Sequence, residues 1–148
     1  MGRRSRKAAW LCSAVGVVAV VIVPGASGVA AEPRAGAVPA KLVGSWTRKV
    51  TRADVKRQHY VTDPFTGNII GTVWTLAIKK SGDASLAGIR YYTGPVEPVG
   101  ANRAHFWLGF YDPNMYKWHV SGRRLTLTKV SDSFTLRAAV LTGVWKRR

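Results

Sequence analysis

Cysteine is all but absent: a single one, Cys12, occurs among 148 residues. A disulfide-stapled scaffold is thereby excluded, as are a thiolate enzyme or a Cys-ligated zinc or iron–sulfur centre anywhere after residue 12. Acidic side chains are also scarce, 7 Asp+Glu against 23 Lys+Arg. Asp54, Asp63, Asp83, Glu97, Asp112 and Asp132 stand singly, nearly all beside Gly, Pro, Ser or Thr, where they read as turn or cap residues. A glycosidase or an aspartic protease needs two carboxylates converging in one cleft, and no pair is set up here. The three histidines, His59, His105 and His119, are far apart in sequence. Metal sites normally add a carboxylate or thiolate to histidine, so no metal site and no cofactor is expected. Ser81-Gly82-Asp83 and Gly71-Thr72 read as turns and not as phosphate cradles, because no helix start follows to supply amides. The chain is not expected to be an enzyme.

Residues 1–31 carry the three parts of a secretory signal peptide: a cationic start (Arg3, Arg4, Arg6, Lys7), an uncharged run from Ala8 to Val23, and small residues at Val29-Ala30-Ala31. Cleavage after Ala31 and a secreted, extracellular product are expected; the other reading is an uncleaved N-terminal membrane anchor, weakened by Pro24, Gly25, Ser27 and Gly28. What remains has no cysteine and carries 19 basic against 7 acidic side chains, a formal +12. Residues 32–40, rich in Pro, Ala and Gly, read as a flexible tether, and a single domain occupies 41–148.

That domain is patterned with period 2. Runs over Thr72–Lys80, Ser85–Tyr92, Arg103–Phe110, Met115–Ser121, Arg124–Val130 and Ala139–Lys146 are read as strands, separated by Gly, Pro, Asp and Ser turns. Thr51 with Asp54 three residues on predicts a capped helix to about Arg57, and Ser131–Leu136 reads as a loop or a single helical turn. The fold class is therefore all-β: a closed or nearly closed antiparallel up-and-down barrel of about eight strands with one short helix after the first strand. A sandwich is the second choice.

Leu42-x-Gly44-x-Trp46 opens the domain and Leu141-x-Gly143-x-Trp145 closes it. In a closed barrel the first and last strands are neighbours, and glycine within a strand marks a bend or a close backbone approach. Gly44, Trp46, Gly143 and Trp145 are therefore read as a structural floor.

The motif Leu42-x-Gly44-x-Trp46, early in a small all-β chain and followed by a short helix, resembles the opening of calycin barrels, the lipocalin-like, fatty-acid-binding-protein-like and avidin-like group. Leu125-Thr126-Leu127-Thr128-Lys129, Asp132, Arg137 and Leu141 to Arg147 look similar to the tail of small secreted actinobacterial proteins of unknown function in that lipocalin-like set. The chain is short for a lipocalin and lacks the Thr-Asp-Tyr turn. The resemblance implies a barrel whose floor tryptophan is covered by a cation from the C-terminal end, with Arg137, Lys146 and Arg147 as candidates and Arg147 the choice.

Two functional readings follow. In the first, the domain is a non-catalytic binding module for a small apolar or amphipathic ligand, with Trp74, Tyr91, Tyr116 and Trp118 as ligand-binding residues. In the second, the barrel is filled and acts through its basic surface, as an envelope-associated or inhibitor-like interaction protein. An anionic cell-envelope surface suits the charge, nucleic acid is a poor partner for an exported protein, and a monomer is expected. Trp107, out of phase with Phe106 and Leu108, makes its strand apolar on both faces and is a candidate surface residue.

Overall fold

The computed structural model describes residues 37–61, 67–109 and 112–148. The expected signal segment and cleavage point, most of the expected tether, Asp63 and Phe110 lie outside the described residues. In chain order the elements are β1 (Gly44–Lys49), α1 (Arg52–Arg57), β2 (Val73–Ile78), β3 (Asp83–Ala87), β4 (Tyr91–Val99), β5 (Arg103–Phe106), β6 (Asn114–Ser121), β7 (Arg124–Asp132), α2 (Thr135–Leu141) and β8 (Gly143–Arg147). Each strand pairs antiparallel with the next, and β8 returns to β1 through Trp46↔Arg147 and Thr47↔Lys146. The result is a closed eight-stranded up-and-down barrel, not a sandwich. Closure gives every strand two neighbours and leaves no edge to aggregate.

The alternation in sequence becomes the inside and outside of the barrel. Trp74, Leu86, Phe106, Tyr116, Leu125 and Trp145 are among the fully buried inward side chains. A helix starts at Arg52 because Thr51 and Asp54 form a capping box: the Thr51 Oγ1 accepts from Asp54 N, and the Asp54 carboxylate accepts from Thr51 N at 2.9 Å.

Besides β5 ending at Phe106 and β7 continuing through Ser131 and Asp132, three boundaries differ from the sequence reading. The run 85–92 is two strands, because Gly88-Ile89-Arg90 breaks it, and β4 continues to Val99 through Pro95 and Pro98. Proline in a strand reads as a breaker since it cannot donate to the ladder. Here Pro95 still contributes its carbonyl, which accepts from Trp107 N at 3.0 Å. The third difference lies at 139–141, where Ala139, Val140 and Leu141 finish a second helix, α2, and the last strand starts only at Gly143. Every residue from Leu136 to Leu141 is buried. A helix covered on all sides has no polar stripe, so a four-residue apolar run gives no 3.6-residue period to separate it from a strand. α2 packs on α1, and together they close the barrel end where β1 finishes and β8 begins.

Candidate functional site

The two Leu-x-Gly-x-Trp segments form matching clasps, but not one shared floor. Because β1 and β8 are antiparallel, Leu42 and Leu141 lie at opposite ends of the barrel. Each indole reaches back over its own strand entry: Trp46 Nε1 donates to Leu42 O and Trp145 Nε1 to Leu141 O, both at 2.9 Å. Each is then covered by an arginine from the other segment. The Arg147 guanidinium lies 4.4 Å from the Trp46 ring centre, and that of Arg48 lies 5.8 Å from the Trp145 ring centre. The glycines make room for these cations. Gly44 and Gly143 have φ of +140° and +136°, and a Cβ on Gly143 would meet the Arg48 guanidinium at 2.7 Å. The shared pattern is thus Leu-x-Gly-x-Trp-x-Arg, two residues longer than the echo singled out above, and Arg48 is the member that sequence reasoning missed. Of the three candidates for covering Trp46, Arg147 does so, Arg137 is bound elsewhere, and Lys146 is exposed on the outer face.

Two buried ionic groups hold the helical end. Arg48 Nη2 is 2.6 Å from Asp54 Oδ2, and its Nη1 donates to Val140 O and Thr142 O, so one guanidinium ties β1, α1 and the exit of α2 together. Burial lowers the Arg48 pKa, against the opposing pull of Asp54. For Asp54 burial works against the charge, but bonds from Thr51 and the Arg48 cation outweigh it and hold the carboxyl below its ordinary value. The second group is centred on Asp132. Its carboxylate accepts from Arg137 Nε at 2.8 Å, Arg137 Nη2 at 2.7 Å, Phe134 N at 2.9 Å and the Tyr116 hydroxyl. Burial first, then the Asp132 charge, drives the Tyr116 hydroxyl far above its ordinary value. For Arg137 burial opposes the charge, but the bonds and charge of Asp132 prevail and raise its pKa.

A pH prediction follows from Asp54. Its folded pKa is depressed, so the stability it contributes is complete above the unfolded aspartate value of about 3.9 and is lost as pH falls through the lower folded value. Asp54→Asn is expected to have a lower melting temperature than the parent at neutral pH, with the difference shrinking below about pH 4. A constant difference from pH 7 to pH 2 in thermal melts would contradict the assignment.

The four residues expected to bind a ligand are not gathered round one cavity. Trp74 is fully buried, stacks on Tyr92 at 6.5 Å between ring centres, and donates from Nε1 to Thr72 Oγ1 at 2.8 Å. Tyr92 and not Tyr91 faces inward: the register pairs Leu86 with Tyr92, whereas Tyr91 is 68% exposed on the outer face. Period-2 alternation counted from Leu86 already sets Tyr92, and not Tyr91, on the inward face, so Tyr91 is out of phase with its own run. Tyr116 is fully buried and engaged with Asp132. Trp118 sits nearer the opposite end, where its buried Nε1 has no hydrogen-bond partner among the described residues. Beside Trp74, Leu86, Tyr92, Leu108, Leu136 and Val140 there is a gap of about 10 Å³. That holds about one water molecule and no amphiphile.

The outer surface is different in character. Outward positions of β1, β6, β7 up to Val130 and β8 include Lys49, Lys117, His119, Arg124 and Lys146 with Thr47, Thr126 and Thr128, and no carboxylate. The described acids are engaged or placed elsewhere: Asp54 and Asp132 in the buried groups, Glu97 accepting from Trp107 Nε1 at 2.7 Å, Asp83 from Ser81 Oγ at 2.7 Å, and Asp112 in the turn before β6. Trp107 donates to Glu97, stacks on His105 at 5.3 Å between ring centres and is half-buried on the barrel wall. A groove of about 490 Å³ between Lys41, Asn102, Lys117, Trp118 and His119 adjoins the basic face. Among the described residues no group of three His, Cys, Asp or Glu side chains is placed to hold a metal ion. The closed antiparallel barrel is compatible with a lipocalin-like layout. No protein-family model, curated protein or solved structure matches the chain.

Proposed function

We propose that this protein is an exported, non-catalytic binding module of lipocalin-like build that works through its basic outer surface at the anionic cell envelope. The observation that carries this reading is the contrast between an interior in which the described residues leave a gap of about 10 Å³ beside Trp74 and an outer sheet face that gathers lysine, arginine and threonine without a carboxylate. A cationic surface is drawn to anionic polymers or headgroups by long-range attraction that salt screens. Binding of the processed chain to isolated bacterial envelopes is therefore expected to be strong at low ionic strength and to fall steeply as salt is raised. Co-sedimentation that survives molar salt unchanged would show that a dry apolar contact dominates, and the reading would fail.

A small apolar ligand is the second reading, favoured by one feature, the stacked Trp74–Tyr92 pair beside the gap under α2. Room for an amphiphile there requires α2 to move, at the cost of separating its buried residues from the barrel. Titration with a fatty acid is expected to leave the tryptophan fluorescence unchanged; a saturable change abolished by Trp74→Phe would favour this reading instead.

A further inference from the structure

The basic face has an arrangement that folding alone does not favour. Lys146 lies directly across from Arg124 in the β7–β8 ladder, and Lys117 directly across from Arg103 in the β5–β6 ladder. Like charges opposite one another on a sheet destabilise it. None of the four has a salt-bridge partner among the described residues. Between the two pairs the register sets Thr126 against His119 and Thr128 against Lys117. The cations and hydroxyls thus form a diagonal band over four adjacent strands, with steps of about 4.8 Å between strands and about 6.8 Å between successive outward residues of one strand. Along β6 the band borders the groove of about 490 Å³ lined by Lys41, Asn102, Lys117, Trp118 and His119.

Resting on the surface-acting reading above, we propose that this band binds a linear phosphodiester polymer of the cell wall, a chain of polyols joined through phosphates. Charge complementarity selects a polyanion. Two cation pairs separated along the band by Thr126, Thr128 and His119 suit a flexible chain that presents phosphates at intervals, and the interleaved threonine hydroxyls suit both phosphate oxygens and polyol hydroxyls. The band also curves round a barrel, a path open to a flexible chain, whereas a flat bilayer touches such a surface along one strip. The exposed large apolar side chains of the face are Val130 and Val144, with no aromatic anchor to enter a membrane interface.

The test uses the full processed chain and purified glycerol-phosphate polymer as probe. Two double variants with the same change in net charge are compared: Lys117→Glu with Lys146→Glu on the band, and Lys79→Glu with Lys80→Glu at the β2–β3 turn. The band variant should lose at least about tenfold in affinity at 50 mM salt and the turn variant less than about threefold, since contacts and not total charge set the phosphate term. The parent should show a slope of about −3 in log affinity against log salt, as for four cations on a flexible strand. The band variant should melt no lower than the parent, because each new glutamate faces an arginine and replaces repulsion by attraction. Equal losses in the two variants would overturn the band. Tighter binding to phosphatidylglycerol vesicles, or to single-stranded DNA of equal phosphate number, would overturn the polymer as partner. Binding to whole envelopes without binding to the polymer would refute this inference while leaving the surface-acting reading standing; binding to none of them would refute both.

Discussion

Asp132→Ala is expected to cost about 3–5 kcal/mol, which is the cost of removing one partner of a buried ion pair and leaving the other charged. Its side chain is fully buried and accepts four hydrogen bonds, two of them from the Arg137 guanidinium. With the carboxylate gone, Arg137, 2% exposed, would lose its ion pair with Asp132, and the Tyr116 hydroxyl would lose its acceptor. The start of α2 would suffer as well: Phe134, its N-cap residue, makes no side-chain cap bond, and the Phe134 amide donates to Asp132. A small domain is stable by only about 5–15 kcal/mol, so the variant should sit near the edge of folding. The companion change sharpens the test. Adding Arg137→Met to Asp132→Ala should recover a good part of the loss, because an apolar replacement of a buried pair is often neutral or stabilising. A single-variant loss below about 1 kcal/mol in urea denaturation would show that the group is hydrated and exposed instead.

Trp46→Ala is expected to cost about 3–5 kcal/mol, as for large aromatics deleted from a packed core. The indole has no exposed surface, donates to Leu42 O, and carries the Arg147 guanidinium on its face. Its removal leaves a void that β1 cannot collapse to fill, since β1 is fixed on both sides by β2 and β8. Trp107→Ala offers the contrast. That ring lies on the outer wall with one hydrogen bond to Glu97, and its truncation should cost about 1–2 kcal/mol. Similar losses for Trp46 and Trp107 would mean that the inside and outside of the barrel have been exchanged.

The barrel itself was legible because alternation survives translation into a closed sheet: Trp74, Leu76 and Ile78 point inward as their spacing requires. The Thr51–Asp54 cap was legible for a local reason, since both partners lie within one helical turn. What escaped the sequence depends on partners far apart along the chain. Asp132 reads as a turn residue, and it does accept from Phe134 two positions on, but its pairing with Tyr116 and Arg137 follows from where α2 is buried. The opposite directions in which Trp46 and Trp145 reach follow from the antiparallel pairing of β1 with β8, which five-residue echoes do not encode. One signal was present and went unused: Arg48 and Arg147 each stand two residues after the tryptophan of their segment, and each covers the tryptophan of the other. The basic band was hidden for a different reason. Lys117, Arg103, Arg124 and Lys146 are dispersed in sequence, and only the registers of β5 to β8 bring them side by side.

The most direct test of a packed barrel acting from its surface is native mass spectrometry of the protein after gentle purification at low salt. The expected spectrum is the bare polypeptide mass, with any adducts stepping in phosphate-polymer units that disappear on brief exposure to high salt. A retained lipid-sized mass that survives salt and is released only on unfolding would place a ligand inside the barrel and contradict that picture.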